Sequence, residues 1–460
     1  MKLQRTLILA ISSLCFFLCT SCKKNTTEPK IEDPKVPSLP DTVTKPPVVT
    51  GRTLFFGTGT GVLKIDGATF ATKCNDLIKI KGGSYSQIEI KNISADDGCA
   101  INIVNDGLVE LSGDGKQMLL SNLNNVVISG NGTAGIDKGF SFKNSSNRSV
   151  QLNGTIDKFT FQYATFQNVQ DYLIAYNSTR VYNGSENSYS KQLKFLNIDC
   201  DNTASMIYFP ATVASGSITG LIKDIEIAYV KFSNSPGVMS VVNLGAAEDY
   251  NIHHNIVKNI NSASNNHNGI FQLDGNGKFY NNLIRDHQGN AVRSWLFSVA
   301  SAVKEVQIYN NIVFNSRKYS AFEVQGFSNL VIPGTTNYAN AKIFNNTCGS
   351  LDLSKDWVGV VADVYDLLGG KCEVFNNLAF NFPSPSNNNY IWSQQSAIPA
   401  VATNNLYFNN SAAAGIKDES TFTLSDNSAA KNASITNKVV LTTDYYGKRR
   451  NSTYSIGAVE

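Results

Sequence analysis

The sequence predicts an all-β chain wound as a parallel β-helix of about a dozen coils. Three observations carry this. First, a short phrase built on asparagine returns six times, marked by Asn255, Asn282, Asn311, Asn346, Asn377 and Asn405 at intervals of 27, 29, 35, 31 and 28 residues. A period of that size belongs to a coiled array, in which each unit buries its apolar face only against its neighbours. Second, residues flanking the marks alternate and are β-branched or aromatic, as over 306–314, which suits a strand and its corner. Third, no stretch after residue 22 sustains helical spacing with start and stop signals, so a helical repeat is disfavoured.

Residues 1–22 stand outside that domain. Lys2 and Arg5 give a positive start, Leu7 to Cys19 an apolar core and Thr20-Ser21-Cys22 a small-residue cleavage site, the layout of a secretory signal peptide. Ending on cysteine, it resembles a bacterial lipoprotein signal, which implies that Cys22 is lipidated and becomes the mature N-terminus. It departs from that pattern at Cys19, where such signals usually carry Leu; an ordinary cleaved signal with an incidental cysteine is the other reading. Residues 23–51 hold Pro29, Pro34, Pro37, Pro40, Pro46 and Pro47, half of the chain's 12 prolines, and read as an extended tether.

Residues 52–460 read as one elongated β-helix domain. Fainter copies of the strand phrase occupy 86–90, 100–104, 126–131, 159–164, 193–198 and 225–230, and a second strand-like run follows the later marks at 269–274, 291–296, 321–325 and 357–361. Stacked at the roughly 4.8 Å strand spacing, the asparagine amides can bond to one another and to turn backbone, which makes the column structural rather than a ligand site.

Composition fits an exported protein that does not bind nucleic acid. The formal net charge is +3 and charged residues are 16%, with no Lys/Arg cluster to follow a phosphate backbone. Cys74, Cys99, Cys200, Cys348 and Cys372 remain after the leader, without metal-ligand spacing, and read mainly as small buried apolar residues. A disulfide between neighbouring coils, such as Cys74 to Cys99, suits an oxidising compartment.

The mature chain resembles the pectate-lyase-like superfamily of right-handed parallel β-helices, in the form common among Gram-negative carbohydrate-scavenging lipoproteins. Asp444-Tyr445-Tyr446-Gly447-Lys448-Arg449, followed by Ser455-Ile456-Gly457-Ala458-Val459-Glu460, is similar to a closing phrase of many such proteins. The resemblance implies a monomer anchored in the bacterial cell envelope, at the outer membrane, acting on a polysaccharide. Members include lyases, hydrolases, epimerases and adhesins, so the fold does not choose among them.

Chemistry concentrates in one stretch. His253, His254, His267 and His287, all four histidines of the chain, fall within 35 residues, with Arg285, Asp286, Arg293 and Trp295 nearby. If Phe271 and Leu273, Val292 and Ser294, and Phe322 and Val324 point inward, then Gln272, Arg293 and Glu323 stack outward as one column, and Asp274, Trp295 and Gln325 as the next. Arginine pairs with a carboxylate in bidentate fashion and tryptophan stacks on a sugar ring, so the wall suits an acidic, uronate-bearing polymer. Its candidate catalytic residues are His267, Arg293 and Glu323, and its candidate substrate contacts Asp274, Lys278, His287, Trp295 and Gln325. A plain surface ladder, in which Glu323 and Arg293 only neutralise each other, is the competing account. His253 and His254 suit a corner role beside the asparagine column.

The stretch from Gln272 to Arg293 is similar in layout to the β-helix lyases that include chondroitinase B and alginate lyases, and Arg293 matches their arginine. Their basic lysine is Gln272 here. β-Elimination needs a base for the proton alpha to the carboxylate and a cation for the enolate-like intermediate. Arg293 supplies the cation, and His267 or Lys278 would have to supply the base. The pairs Asp96-Asp97 and Asp363 with Asp366 carry oxygen ligands that suit calcium, although such pairs in turns are more often solvated, and no residue is assigned to a metal. Two classes therefore stay open. One is an enzyme cleaving an acidic polysaccharide by elimination or hydrolysis; the other is a non-catalytic carbohydrate-binding or adhesive β-helix.

Overall fold

The computed structural model describes residues 51–214, 216–327 and 332–460. The expected leader, the expected lipidation at Cys22 and the expected tether, apart from Gly51, lie outside them. Each complete coil of the second half has three strands, each in parallel register with its counterpart in the next coil. In one coil these are Lys304–Tyr309, Ile312–Ser316 and Phe322–Gly326. The third strand of the following coil is Ala362–Tyr365, not the 357–361 run expected from the sequence. Inward positions are isoleucine, valine, leucine and phenylalanine, buried in one continuous core, so a coil has no interior without its neighbours.

The asparagine doublets explain the first corner. Asn281, Asn310, Asn345, Asn376 and Asn404 all adopt a left-handed backbone, with φ between 50° and 56°, a conformation asparagine tolerates better than branched residues. That residue turns the chain, and the asparagine after it points inward. Each inward Oδ1 accepts from both the backbone N and the Nδ2 of the asparagine one coil earlier, at 2.9 to 3.1 Å from Asn255 through Asn405. Each amide also donates to a strand carbonyl, as Asn311 does to Phe279. Asn311→Leu would leave buried partners on both sides unsatisfied. Chemical denaturation is expected to show a loss of about 1–3 kcal/mol, and an unchanged midpoint would reduce the column to packing.

Two further ladders accompany it. Tyr280, Tyr309, Phe344 and Phe375 stack with ring centroids 4.9 to 5.0 Å apart, and His253 heads that stack on Tyr280. His254 takes the left-handed corner position, with φ 54°, and bonds Asn281. At the next corner Asn168, Asn202, Asn234 and Asn259 pass amide hydrogen bonds from coil to coil, with Asp201 and Asn144 accepting.

Near the first coils, Cys74 and Cys99 form a disulfide between neighbouring turns, and Cys200, Cys348 and Cys372 are free and buried. The last coil strand is Leu406–Phe408. Residues 409–460 do not continue the coil; they run back as a strap over the asparagine corner. There the outward amides of Asn310, Asn345, Asn376 and Asn404 donate to the carbonyls of Thr443, Ser455, Ile435 and Ala433.

Candidate active site

Register sets the wall. Gln272 pairs with Arg293, Arg293 with Glu323, Glu323 with Asp363 and Asp363 with Ser393. The alternating neighbours Phe271, Leu273, Val292, Phe322 and Val324 are buried in the core, so the column faces outward as period-2 alternation requires.

Glu323 is nonetheless fully buried, because its neighbours cover it. Arg293 Nε donates to its Oε1 at 2.7 Å, and His267 Nε2 lies 2.7 Å from its Oε2. The His267 contact is out of line for a hydrogen bond, so Oε2 gains a close ring nitrogen but no aligned donor. Nε2 also lies 3.1 Å from Asn290 Oδ1, and Asn290 Nδ2 donates to Ser320 O, which fixes that amide's orientation. With two acceptors against it, Nε2 is the donor of the neutral ring's favoured tautomer, in which Nδ1 is the acceptor.

The loop bearing His267 is held from two sides. Asn261 and Asn268 bond the Met239 backbone, Arg317 Nη1 reaches Asn265 Oδ1 at 2.6 Å, and Tyr319 Oη donates to Asn265 O. Arg293 Nη1 donates to His267 O at 3.1 Å. The imidazole stacks on Tyr319, centroids 4.4 Å apart and planes 11° from parallel, with Trp357 at 5.3 Å. Trp357 is 42% exposed and so offers an aromatic rim beside the imidazole.

Next along the column, Asp363 is buried and accepts from Ser393 Oγ, with Tyr365 Oη 3.5 Å from its second oxygen. Burial pushes this carboxyl up, and the Glu323 charge adds to that. Burial and the same two carboxylates push the Tyr365 hydroxyl up as well, so it stays protonated.

In the second column Asp274 pairs with Trp295 and Trp295 with Gln325. Trp295 packs on Phe327, and its Nε1 has no protein partner among the described residues. Asp274 is 6% exposed and accepts from Gln272 Nε2 at 2.8 Å. Burial raises its carboxyl to about 7. Between the unfolded value of 3.8 and about 7 the unfolded chain ionises while the folded chain holds its proton, so stability falls as pH rises through that window and levels off above it. Asp274→Asn is expected to remove this slope and to be about 2–3 kcal/mol more stable than wild type at pH 8. Parallel denaturation curves at pH 4 and pH 8 decide it, and identical slopes in both proteins would contradict it.

The structure brings together His267, Arg293 and Glu323, and beside them Asp274, Trp295 and Gln325. It separates two other candidates. Lys278 lies past a corner made by Gly275 and Gly277, at φ 133° and 151°, and pairs with Asn251 and Gln307 on the neighbouring sheet. It does not share the wall. His287 is a strand residue sealed inside the coil, with neither ring nitrogen in a well-formed hydrogen bond, and burial lowers it to about 4. It cannot contact a substrate at the wall.

The aspartate pairs also come apart. Asp363 is buried while Asp366 is exposed, and Asp97 is bonded to Lys158. Among the described residues no three of His, Cys, Asp and Glu converge on a metal position. Tyr365, Trp357 and Asn290 were not read as site residues from the sequence, and Asp363 was weighed only with Asp366 as a calcium-suited pair. The alternation of Ala362 and Val364 was the available signal, hidden by the apolar 357–361 run.

The coils, their three parallel sheets and their asparagine corner place the chain structurally. The fold is a parallel β-helix. No family profile matches the sequence, and no curated protein matches it. Among solved structures, the chain is similar to a PL6 family polysaccharide lyase from Pseudopedobacter saltans, with 12% identity and TM-score 0.45 over 75% of this chain and 92% of that one. It is similar also to pectate lyase Pel9A, with 13% identity and TM-score 0.42 over 87% and 96% of the two chains. An alginate lyase from Paenibacillus sp. str. FPU-7 gives 14% identity and TM-score 0.37 over 75% and 97%. Nothing of their chemistry transfers on likenesses of this size.

Proposed function

We propose that this wall cleaves a uronate-bearing polysaccharide by β-elimination, in an exported protein held to the cell envelope through Cys22. The observation that carries the reading is one buried carboxylate, Glu323, contacted by a guanidinium and by the Nε2 of an imidazole that Asn290 also holds. His267 Nδ1 removes the proton alpha to the substrate carboxylate. Arg293 Nη2, which has no protein partner among the described residues, stabilises the enolate-like charge. The bond to the leaving oxygen breaks as the carbon–carbon double bond forms, and Tyr365 supplies that oxygen's proton. Trp357 and Trp295 give stacking faces to the flanking sugars.

In this scheme Glu323, expected from the sequence as a catalytic residue, is a positioning residue. Fully buried, it orients the imidazole and the guanidinium and touches no substrate. The missing lysine at Gln272 is met by His267 rather than by Lys278, which lies on the other sheet.

The experiment is a panel of uronate polymers with the purified domain, following absorbance of the unsaturated product and reducing ends together. Elimination raises both in step. Reducing ends without absorbance would mean hydrolysis, and binding without either would mean the adhesive or carbohydrate-binding alternative.

A further inference from the structure

The column that carries Gln272, Arg293 and Glu323 continues toward the first coils. Gln272 pairs with Asn243, Asn243 with Tyr208, and Tyr208 with Ala175. Three strand spacings separate Tyr208 from Arg293, about 14 Å along the coil axis. There the surface opens into a hollow of about 830 Å³, lined among others by Tyr172, Asn202, Ser205, Tyr208, Met239 and Asn243.

The rings of Tyr172 and Tyr208 lie face to face, centroids 3.9 Å apart and planes 6° from parallel. Arg148 sits 5.7 Å from the Tyr172 ring, and its guanidinium is committed to Asp171 and Gln151. Tyr172 thus has Arg148 and Tyr208 against it, while Tyr208 lines the hollow with no second ring and no cation against it among the described residues. Ser205 and Ser240 are spent on backbone carbonyls. The Asn243 amide has no protein hydrogen bond among the described residues. An aromatic face with an uncommitted amide beside it, in an open slot, matches a pyranose ring, whose C–H face stacks while its hydroxyls bond the amide.

We infer that Tyr208 and Asn243 form a distal subsite for a sugar ring of the same chain that reaches Arg293 and His267, so that the polymer lies along the coil axis. The inference rests on the reading of the wall as a uronate-binding surface. A chain long enough to bridge the two places gains affinity, and a short one does not.

The test uses the His267→Ala protein, which does not consume its ligand, titrated with a uronate trisaccharide and a uronate hexasaccharide. In that background Tyr208→Ala is expected to weaken the hexasaccharide about tenfold and to leave the trisaccharide unchanged. Asn243→Ala should weaken the hexasaccharide in the same length-dependent way. Tyr208→Phe keeps the ring and should keep the affinity, which controls for damage to the coil. Equal losses for both lengths, or no loss for either, would overturn the subsite while leaving the wall reading intact. Failure of the His267→Ala protein to bind either oligosaccharide would overturn both.

Discussion

His267→Ala is expected to lower turnover of a uronate polymer by about 10²–10⁴-fold while polymer binding persists, because general-base removal acts on the chemical step and leaves the stacking faces in place. The structure gives this its specific form. Nε2 is pinned by Asn290 and Glu323, so only Nδ1 is available as a base, and Asn290→Ala should lower kcat through a misoriented ring with little change in KM. Arg293→Ala should lower both binding and turnover, and its effect on binding should shrink with added salt as exposed charge pairing is screened. It also leaves Glu323 buried without its guanidinium, so its melting temperature must be read beside its kinetics. Arg293→Ala and Trp295→Ala that spare both binding and turnover would reduce this wall to the ladder of charges it resembles from outside, and the site would have to be sought on another face.

What could be read from the sequence follows from how the coil repeats. One residue type recurring at one place per coil is visible at any period, so the inward asparagine column was legible from residue numbers alone. The second corner was not, since asparagine there alternates with Asp201, Asp286 and Ser350 as partners. The wall was legible over three coils because alternation on 269–274, 291–296 and 321–325 carries straight into register. It failed in the next coil, where an inserted loop moved the strand to Ala362–Tyr365 and hid Asp363 and Tyr365. Lys278 was misplaced for a related reason: the corner at Gly275 and Gly277 is made by backbone conformation, and sequence alternation runs through it unmarked. His287 shows a further limit. A buried unpaired histidine and a catalytic one are written with the same letter, and only the coil's interior distinguishes them.

The closing phrase of the chain is where motif and mechanics meet, and it carries the largest expected effect on stability. Arg450 is almost fully buried. Its guanidinium donates to Glu460 Oε1 at 2.6 Å, to the carbonyls of Ser455, Gly457 and Thr443, and to Asn310 Oδ1 at 3.1 Å on the coil. Asp444 accepts from the backbone of Tyr446, Lys448 and Glu460, closing the same knot. The two segments read from the sequence as a closing phrase, 444–449 and 455–460, therefore have a physical content, the docking of the strap on the asparagine corner, and Arg450, which lies between them, ties both to the coil. Removing one partner of a buried pair strands the other, so Arg450→Ala is expected to cost about 3–5 kcal/mol. Arg450→Lys should recover little of this, because an ammonium cannot span five acceptors set out for a planar fork. Limited proteolysis should cut the variant beyond Phe408 before the coils open, and denaturation should show the strap leaving first. A variant as resistant as wild type, with an unchanged denaturation midpoint, would mean that the apolar contacts of Tyr445, Ile456 and Ala458 hold the strap without the guanidinium.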